Sequence, residues 1–171
     1  PGEDWLYEIA WPEQRVPAGD AGAVPGDWLI AAEAGGAGET LAGRLRAAGA
    51  TVTCVAPREL ARTLATRPAW RGVVHLGACE FTGDTAPTWA DLGFESILAL
   101  ARATVKLDGV WLVTEGAVSL GGATVRPAAA AVWGLGRVLA QEHPELNLRL
   151  VDVTAANAGS ALAEECLRPG A

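Results

Sequence analysis

Short apolar, β-branched runs alternate along this chain with longer alanine- and leucine-rich stretches, and that alternation narrows the available folds more than any other feature. Trp28-Leu29-Ile30-Ala31-Ala32 reads as a strand. A glycine-rich turn from Glu33 to Gly38 follows, then a helix over about Glu39 to Ala48. Val52–Val55, Val73–Leu76, Val110–Val113 and Leu148–Val153 read as four further strands. Helical stretches lie near Arg58–Thr66, Trp89–Leu107, Pro127–Gln141 and Ser160–Leu167. The strands are nearly continuous apolar runs rather than in/out alternations, as a parallel sheet covered on both faces requires. The expected fold class is α/β, a doubly wound parallel sheet of about five strands.

The helix boundaries carry their own signals. Leu41, Leu45 and Ala48 share one face of the first helix, and Gly49 stops it. Ile97, Leu100, Ala101 and Thr104 share a face of the longest. Pro127 suits a first helical turn, and His143-Pro144 closes that helix. The segment Trp5-Leu6-Tyr7-Glu8-Ile9-Ala10-Trp11 falls outside the alternation. It reads as an aromatic strand, followed by a Pro/Gly/Ala linker from Pro12 to Gly26. An exposed edge with two tryptophans and an isoleucine invites aggregation, so the strand is expected to pad the sheet edge or reach a neighbouring domain. The expected organisation is residues 1–26 as strand and linker packing on a neighbouring subdomain, and 27–171 as the α/β body.

Composition then excludes function classes. Half of the 171 residues are hydrophobic and 19 % are charged, which supports a real core and excludes a disordered tail. No run approaches the roughly 20 apolar residues of a membrane span, and a net charge of −7 repels nucleic acid and anionic lipid. Neither nucleic acid nor membrane is expected as a partner. The chain has no methionine, so Pro1 is no translation start and a longer parent polypeptide is expected. Cys54, Cys79 and Cys166 are odd in number and lack CxxC spacing. They read as buried thiols in a reducing cytosol, with no disulfide framework and no zinc site.

The positions where this architecture usually carries chemistry hold unsuitable residues. Gly35-Gly36-Ala37-Gly38 stands after the first strand, where glycines let backbone amides approach a pyrophosphate at a helix N-terminus. Glu39 places a carboxylate at that mouth, and Thr40 or Leu41 stands where another glycine is needed. A reductase needs a proton-donating Tyr with a Lys four residues on. Tyr7 is the only tyrosine and lies in the opening strand, while Pro127 and Ala131 hold the four-residue spacing on the relevant helix. Glu33 is the only acid in the first loop, too few for a phosphoacceptor site. His75 reads as a core or strand-end histidine bonded to a backbone carbonyl, and His143 as a helix stop. The sequence offers no plausible catalytic histidine for Ser119, and no GxSxG elbow surrounds it. Trp28, Trp111 and Trp133 read as core. No residue is assigned to catalysis, to cofactor binding or to a metal.

Taken together, the aromatic opening segment Trp5–Trp11, Gly72-Val73-Val74-His75-Leu76, Val110-Trp111-Leu112-Val113-Thr114-Glu115-Gly116-Ala117, and Ala130-Ala131-Val132-Trp133-Gly134-Leu135-Gly136-Arg137-Val138 with Glu142-His143-Pro144-Glu145 carry a resemblance. The chain resembles the N-terminal, structural subdomain of ketoreductase domains in modular type I polyketide synthases. The resemblance runs from Trp5 to about Leu167, and Trp-Gly-Leu-Gly-Arg followed by Glu-His-Pro is its most specific part. It implies a truncated Rossmann-like fold of the short-chain dehydrogenase/reductase kind, without NADPH site or catalytic residues. It also implies a cytoplasmic, multifunctional polypeptide of antibiotic biosynthesis. There a catalytic subdomain binds NADPH and reduces a β-ketoacyl thioester carried on an acyl carrier protein, with an enoylreductase or dehydratase as possible neighbours. The expected function is a non-catalytic scaffold half. Two alternatives stand beside it: an inactive remnant supporting a dehydratase, methyltransferase or enoylreductase, and a free-standing nucleotide-binding module using Gly35–Gly38.

Overall fold

The computed structural model of the protein describes residues 11–13, 23–79, 93–120, 124–154 and 158–168. Five strands, β1 (Gly26–Ala31), β2 (Ala50–Val55), β4 (Gly72–His75), β6 (Val110–Glu115) and β7 (Leu148–Val153), form one sheet in the order β2-β1-β4-β6-β7. Every pair in it is parallel. Counting only these strands the order is 2-1-3-4-5, a doubly wound arrangement whose strand order reverses between β1 and β4. Two short strands, β3 (Ala69–Trp70) and β5 (Lys106–Leu107), pair with each other just ahead of β4 and β6.

Each strand sends alternate side chains to opposite faces, which divides the core in two. Trp28, Ile30, Val74, Trp111 and Val113 meet α1 (Gly36–Ala47) and α5 (Ala158–Cys166) through Leu41, Leu45, Leu162 and Cys166. Leu29, Val73, Val110 and Leu112 meet α2 (Leu60–Leu64), α3 (Phe94–Ala101) and α4 (Pro127–Glu142) through Leu60, Ile97, Val132 and Leu139. Each such aliphatic side chain contributes about 1.5–3 kcal/mol on full burial. The register also pairs large against small. The Trp28 indole lies over Gly72, where any Cβ would collide with its ring, and tilts against Trp111 at 5.3 Å between centroids.

Strand positions match the sequence expectations closely, and helix extents less so. The sequence predicts a helix over Trp89–Leu107, the longest expected; among the described residues this helix is Phe94–Ala101, and α4 is longer. Lys106 and Leu107 are a strand instead, because backbone pairing to Ala69–Trp70 competes with the helix, and Thr104 is exposed outside it. Arg58–Thr66 is a 3₁₀ turn over Pro57–Glu59 followed by the short α2. The aromatic strand Trp5–Trp11 lies outside the described residues except for Trp11, as does Tyr7.

Three placements correct the sequence reading. Trp133 is not core: it is half-buried and packs edge-on to Trp11 at 6.0 Å. Cys54 is exposed rather than buried, because β2 is an edge strand, whereas Cys166 is buried and Cys79 half-buried. His75 bonds a serine hydroxyl rather than a backbone carbonyl.

Candidate functional site

In open parallel sheets ligands bind beyond the carboxyl ends of the strands, so the candidate site is that edge. At the end of β1, Gly35 and Gly36 take positive φ of 93° and 69°, and α1 begins at once. Gly38 is fixed by close packing, since a Cβ there would stand 2.8 Å from the Ala32 Cβ. Glu39 lies exposed in the first turn of α1. The start of α5 presses on the same turn: a Cβ on Gly159 would approach Thr40 Cβ at 2.7 Å and the Ala37 carbonyl oxygen at 3.0 Å.

At the end of β4, His75 is 1 % exposed. The Gly77 amide donates to its Nδ1 at 3.3 Å, which fixes the proton on Nε2. Nε2 then donates to Ser96 Oγ at 2.7 Å, and Ser96 Oγ donates to the Gly93 carbonyl at 2.7 Å. Gly93, with φ 69°, comes so near that a Cβ would stand 2.8 Å from His75 Cε1. A serine and a histidine at hydrogen-bond distance invite a nucleophile–base reading. The proton order is the reverse of what that chemistry needs, because the imidazole donates to the hydroxyl. Burial also pushes His75 down to about 4, which makes it a feeble base. The pair pins β4 to the first turn of α3.

At the ends of β6 and β7, Asp152 organises the loop after β6. Its Oδ1 accepts from Thr114 Oγ1 at 2.7 Å, and its two oxygens accept from the Ala117 amide at 2.9 and 3.0 Å. Oδ2 also accepts from the Val118 amide at 3.2 Å. Two consecutive backbone N–H groups at a strand end make an anion-binding concavity. Here a carboxylate of the chain itself fills it. Gly116, with φ 69°, makes the turn, and Arg126 closes it with its Nη1 3.6 Å from Glu115 Oε2 and its amide donating to the Gly116 carbonyl at 2.8 Å. Pro127 and Ala131 follow on α4 and carry no titratable atom.

The structure therefore gathers His75, Ser96, Thr114 and Asp152 along one edge with the glycine turn. His143 sits apart at the end of α4, its Nδ1 2.9 Å from Glu145 Oε1. Sequence reasoning missed Asp152 and Ser96. Asp152 had a legible signal, as the only acid in the run Leu148–Val153 and one residue from the carboxyl end of its strand. Ser96 had none, being one hydroxyl in an ordinary helix. Among the described residues no group of three or more His, Cys, Asp or Glu side chains could hold a metal, and no helix is long and apolar enough to cross a membrane.

A covered parallel sheet with a glycine turn after β1 and a strand-order reversal beside it defines a doubly wound, Rossmann-like domain. Solved structures agree. A short-chain dehydrogenase/reductase from Brucella ovis matches at TM-score 0.60 and 16 % identity, over 82 % of this chain and 90 % of that one, a likeness of fold. A C2-type ketoreductase from a modular polyketide synthase matches at TM-score 0.62 and 32 % identity, over 84 % of this chain and 35 % of that one. Residues 9–170 match the family described as polyketide synthase extender module SpnB, Rossmann fold domain, and the chain belongs to that family. The pikromycin polyketide synthase component PikAIII of Streptomyces venezuelae is 34 % identical over 94 % of this chain. The chain spans a tenth of that relative's length. It is a ketoreductase-related Rossmann region of a modular polyketide synthase.

Proposed function

We propose that this domain is the non-catalytic structural half of a polyketide synthase ketoreductase. It shapes and steadies a catalytic half, which binds NADPH and reduces a β-ketoacyl thioester on an acyl carrier protein. The observation that carries this reading is the closure of the carboxyl edge by the chain's own groups. The Asp152 carboxylate fills the amide concavity at Ala117 and Val118, and Ser96 engages the His75 imidazole. Paired in this way, these groups are turned toward one another and toward the backbone of the chain itself. On α4, Pro127 and Ala131 offer nothing that transfers a proton.

NADPH does not suit the residues at the start of α1. The Glu39 carboxylate stands in the first turn, where a pyrophosphate would lie, and α5 is packed through Gly159 onto the Ala37 carbonyl. No step of reduction is assigned to this chain. A reductase assay with NADPH and a diketide thioester tests the reading: turnover by these 171 residues alone overturns it. The two positive-φ glycines, Gly35 and Gly36, favour one second reading, a nucleotide-binding module. Saturable binding of NADPH, NADH or ATP to the 171 residues would select it, and its absence leaves the scaffold.

A further inference from the structure

Three donors converge on one carboxylate where β6 and β7 end. Thr114 and Asp152 stand opposite each other in the parallel register, and full burial of Thr114 holds its hydroxyl in one place. The Ala117 and Val118 amides follow along the turn, which Gly116 makes at φ 69°. The turn has supports besides Asp152. The Arg126 amide donates to the Gly116 carbonyl at 2.8 Å, Arg126 Nη1 donates to the Glu115 carbonyl at 3.5 Å, and strand pairing continues to Glu115 and Val153. These contacts keep two consecutive N–H groups directed at one point, the geometry of an anion-binding concavity.

We propose that Thr114, Ala117 and Val118 form a binding site for a small carboxylate, and that Asp152 is its tethered ligand. The proposal goes beyond the scaffold reading and does not depend on it. The donors match a carboxylate oxygen by oxygen. Oδ1 accepts from the Thr114 hydroxyl at 2.7 Å and from the Ala117 amide at 2.9 Å. Oδ2 accepts from the Ala117 amide at 3.0 Å and from the Val118 amide at 3.2 Å. Three uncharged donors shared between two oxygens suit a planar monoanion, whose hydrogen bonds to them are charge-assisted. A phosphate dianion would bring further oxygens that these three donors do not meet. Asp152 is half-buried, so a solute can reach the place its carboxylate holds. In the native chain the tether makes the binding intramolecular, and free carboxylate at ordinary concentration does not compete with it.

Urea unfolding of side-chain deletions in sodium formate, with sodium chloride at equal ionic strength as reference, tests this. Asp152→Gly removes the whole side chain and leaves room for formate, the smallest carboxylate. At ten times its dissociation constant, formate should raise the folded-to-unfolded ratio of this variant about 11-fold over chloride. The effect should fall from formate to acetate to propionate as the ligand outgrows the space, and it should shrink in Asp152→Gly/Thr114→Val, which lacks one donor. Native protein and Asp152→Asn, whose sites stay filled by a side chain, should behave alike in formate and chloride. Asp152→Ala is the second variant, and where either is unfolded in chloride, folding induced by formate and read by circular dichroism is the same measurement.

Equal behaviour of both deletions in formate and chloride overturns the proposal. Equal stabilisation of Asp152→Asn by formate overturns it too, because the effect is then a general one of the salt. Phosphate acting at lower concentration than formate also overturns it, by assigning the turn to a different anion.

Discussion

Acidification probes the His75 lock more sharply than truncation does. In the unfolded chain an imidazole takes up its proton near pH 6.5. In the folded domain burial holds His75 down to about 4. Between those values the unfolded state binds more protons than the native state. Stability contributed by neutral His75 is therefore fully present above pH 6.5, declines as the pH falls, and is lost through pH 4. Each pH unit in that window removes up to about 1.4 kcal/mol. Integrated from pH 7 to 5 the loss is about 2 kcal/mol, and over the whole window about 3 kcal/mol. For a domain of this size 2 kcal/mol lowers the melting temperature by roughly 4–8 °C.

The physical reason is specific: protonating Nδ1 requires the Gly77 amide to give up its acceptor, at a site where water does not reach. The assay is urea unfolding at pH 7, 6 and 5 for the native sequence and for His75→Asn, which keeps one donor and one acceptor but does not titrate. Carboxylates and His143 contribute equally to both proteins, so the difference in slope belongs to His75. A slope shared by the two proteins would refute the reasoning. So would an imidazole that titrates near 6.5 by NMR in the folded domain.

Four further outcomes are expected. Asp152→Asn turns an amide N–H₂ toward donors that need an acceptor, and should lower stability by about 1–3 kcal/mol in the same urea assay, with Thr114→Val costing about 1. Gly134→Ala, in open space on α4, should stabilise by up to about 1 kcal/mol, whereas Gly38→Ala, 2.8 Å from the Ala32 Cβ, should destabilise by about 1–3, both read by thermal melting. Trp11→Asp should shift the melting temperature little, since the residue is 48 % exposed, yet weaken co-purification with the catalytic half; equal loss of both would refute it. Cys54, exposed on the edge strand but with its thiol raised by partial burial, should alkylate slowly in the native state and faster as pH rises, while Cys166, pushed up to about 12 by burial, should react only on unfolding, as peptide mass mapping would show.

The sheet was legible because its cause is local: continuous apolar runs such as Val110–Val113 demand cover on both faces whatever lies around them. The same local logic placed Pro127 and Ala131 on the helix that follows β6, where the structure has them. It misjudged Trp133 and Cys54, because composition tells core from surface but not the centre of a sheet from its edge, and strand order is a non-local property. It also misjudged the partner of His75, which lies 21 residues away across a helix N-terminus. Asp152 shows the boundary well. Its position near the end of a strand was readable, but its role depends on two amides 34 and 35 residues earlier that only the β6–β7 register brings within reach.

That register bears on why a domain proposed to carry no chemistry would keep this fold. A doubly wound sheet holds its strand ends rigidly, so any group placed there is positioned with little loss of entropy on use. In a reductase that rigidity orients a cofactor. Here the same positions hold His75, Ser96, Thr114 and Asp152 against one another, so the rigidity serves the sheet itself. The carboxyl edge is closed by these internal pairs, and on the β2 edge Arg46 reaches the Val52 carbonyl. Under the proposed scaffold role that closure is what the domain contributes: strand ends held by internal pairs give a neighbouring half a rigid body to pack on.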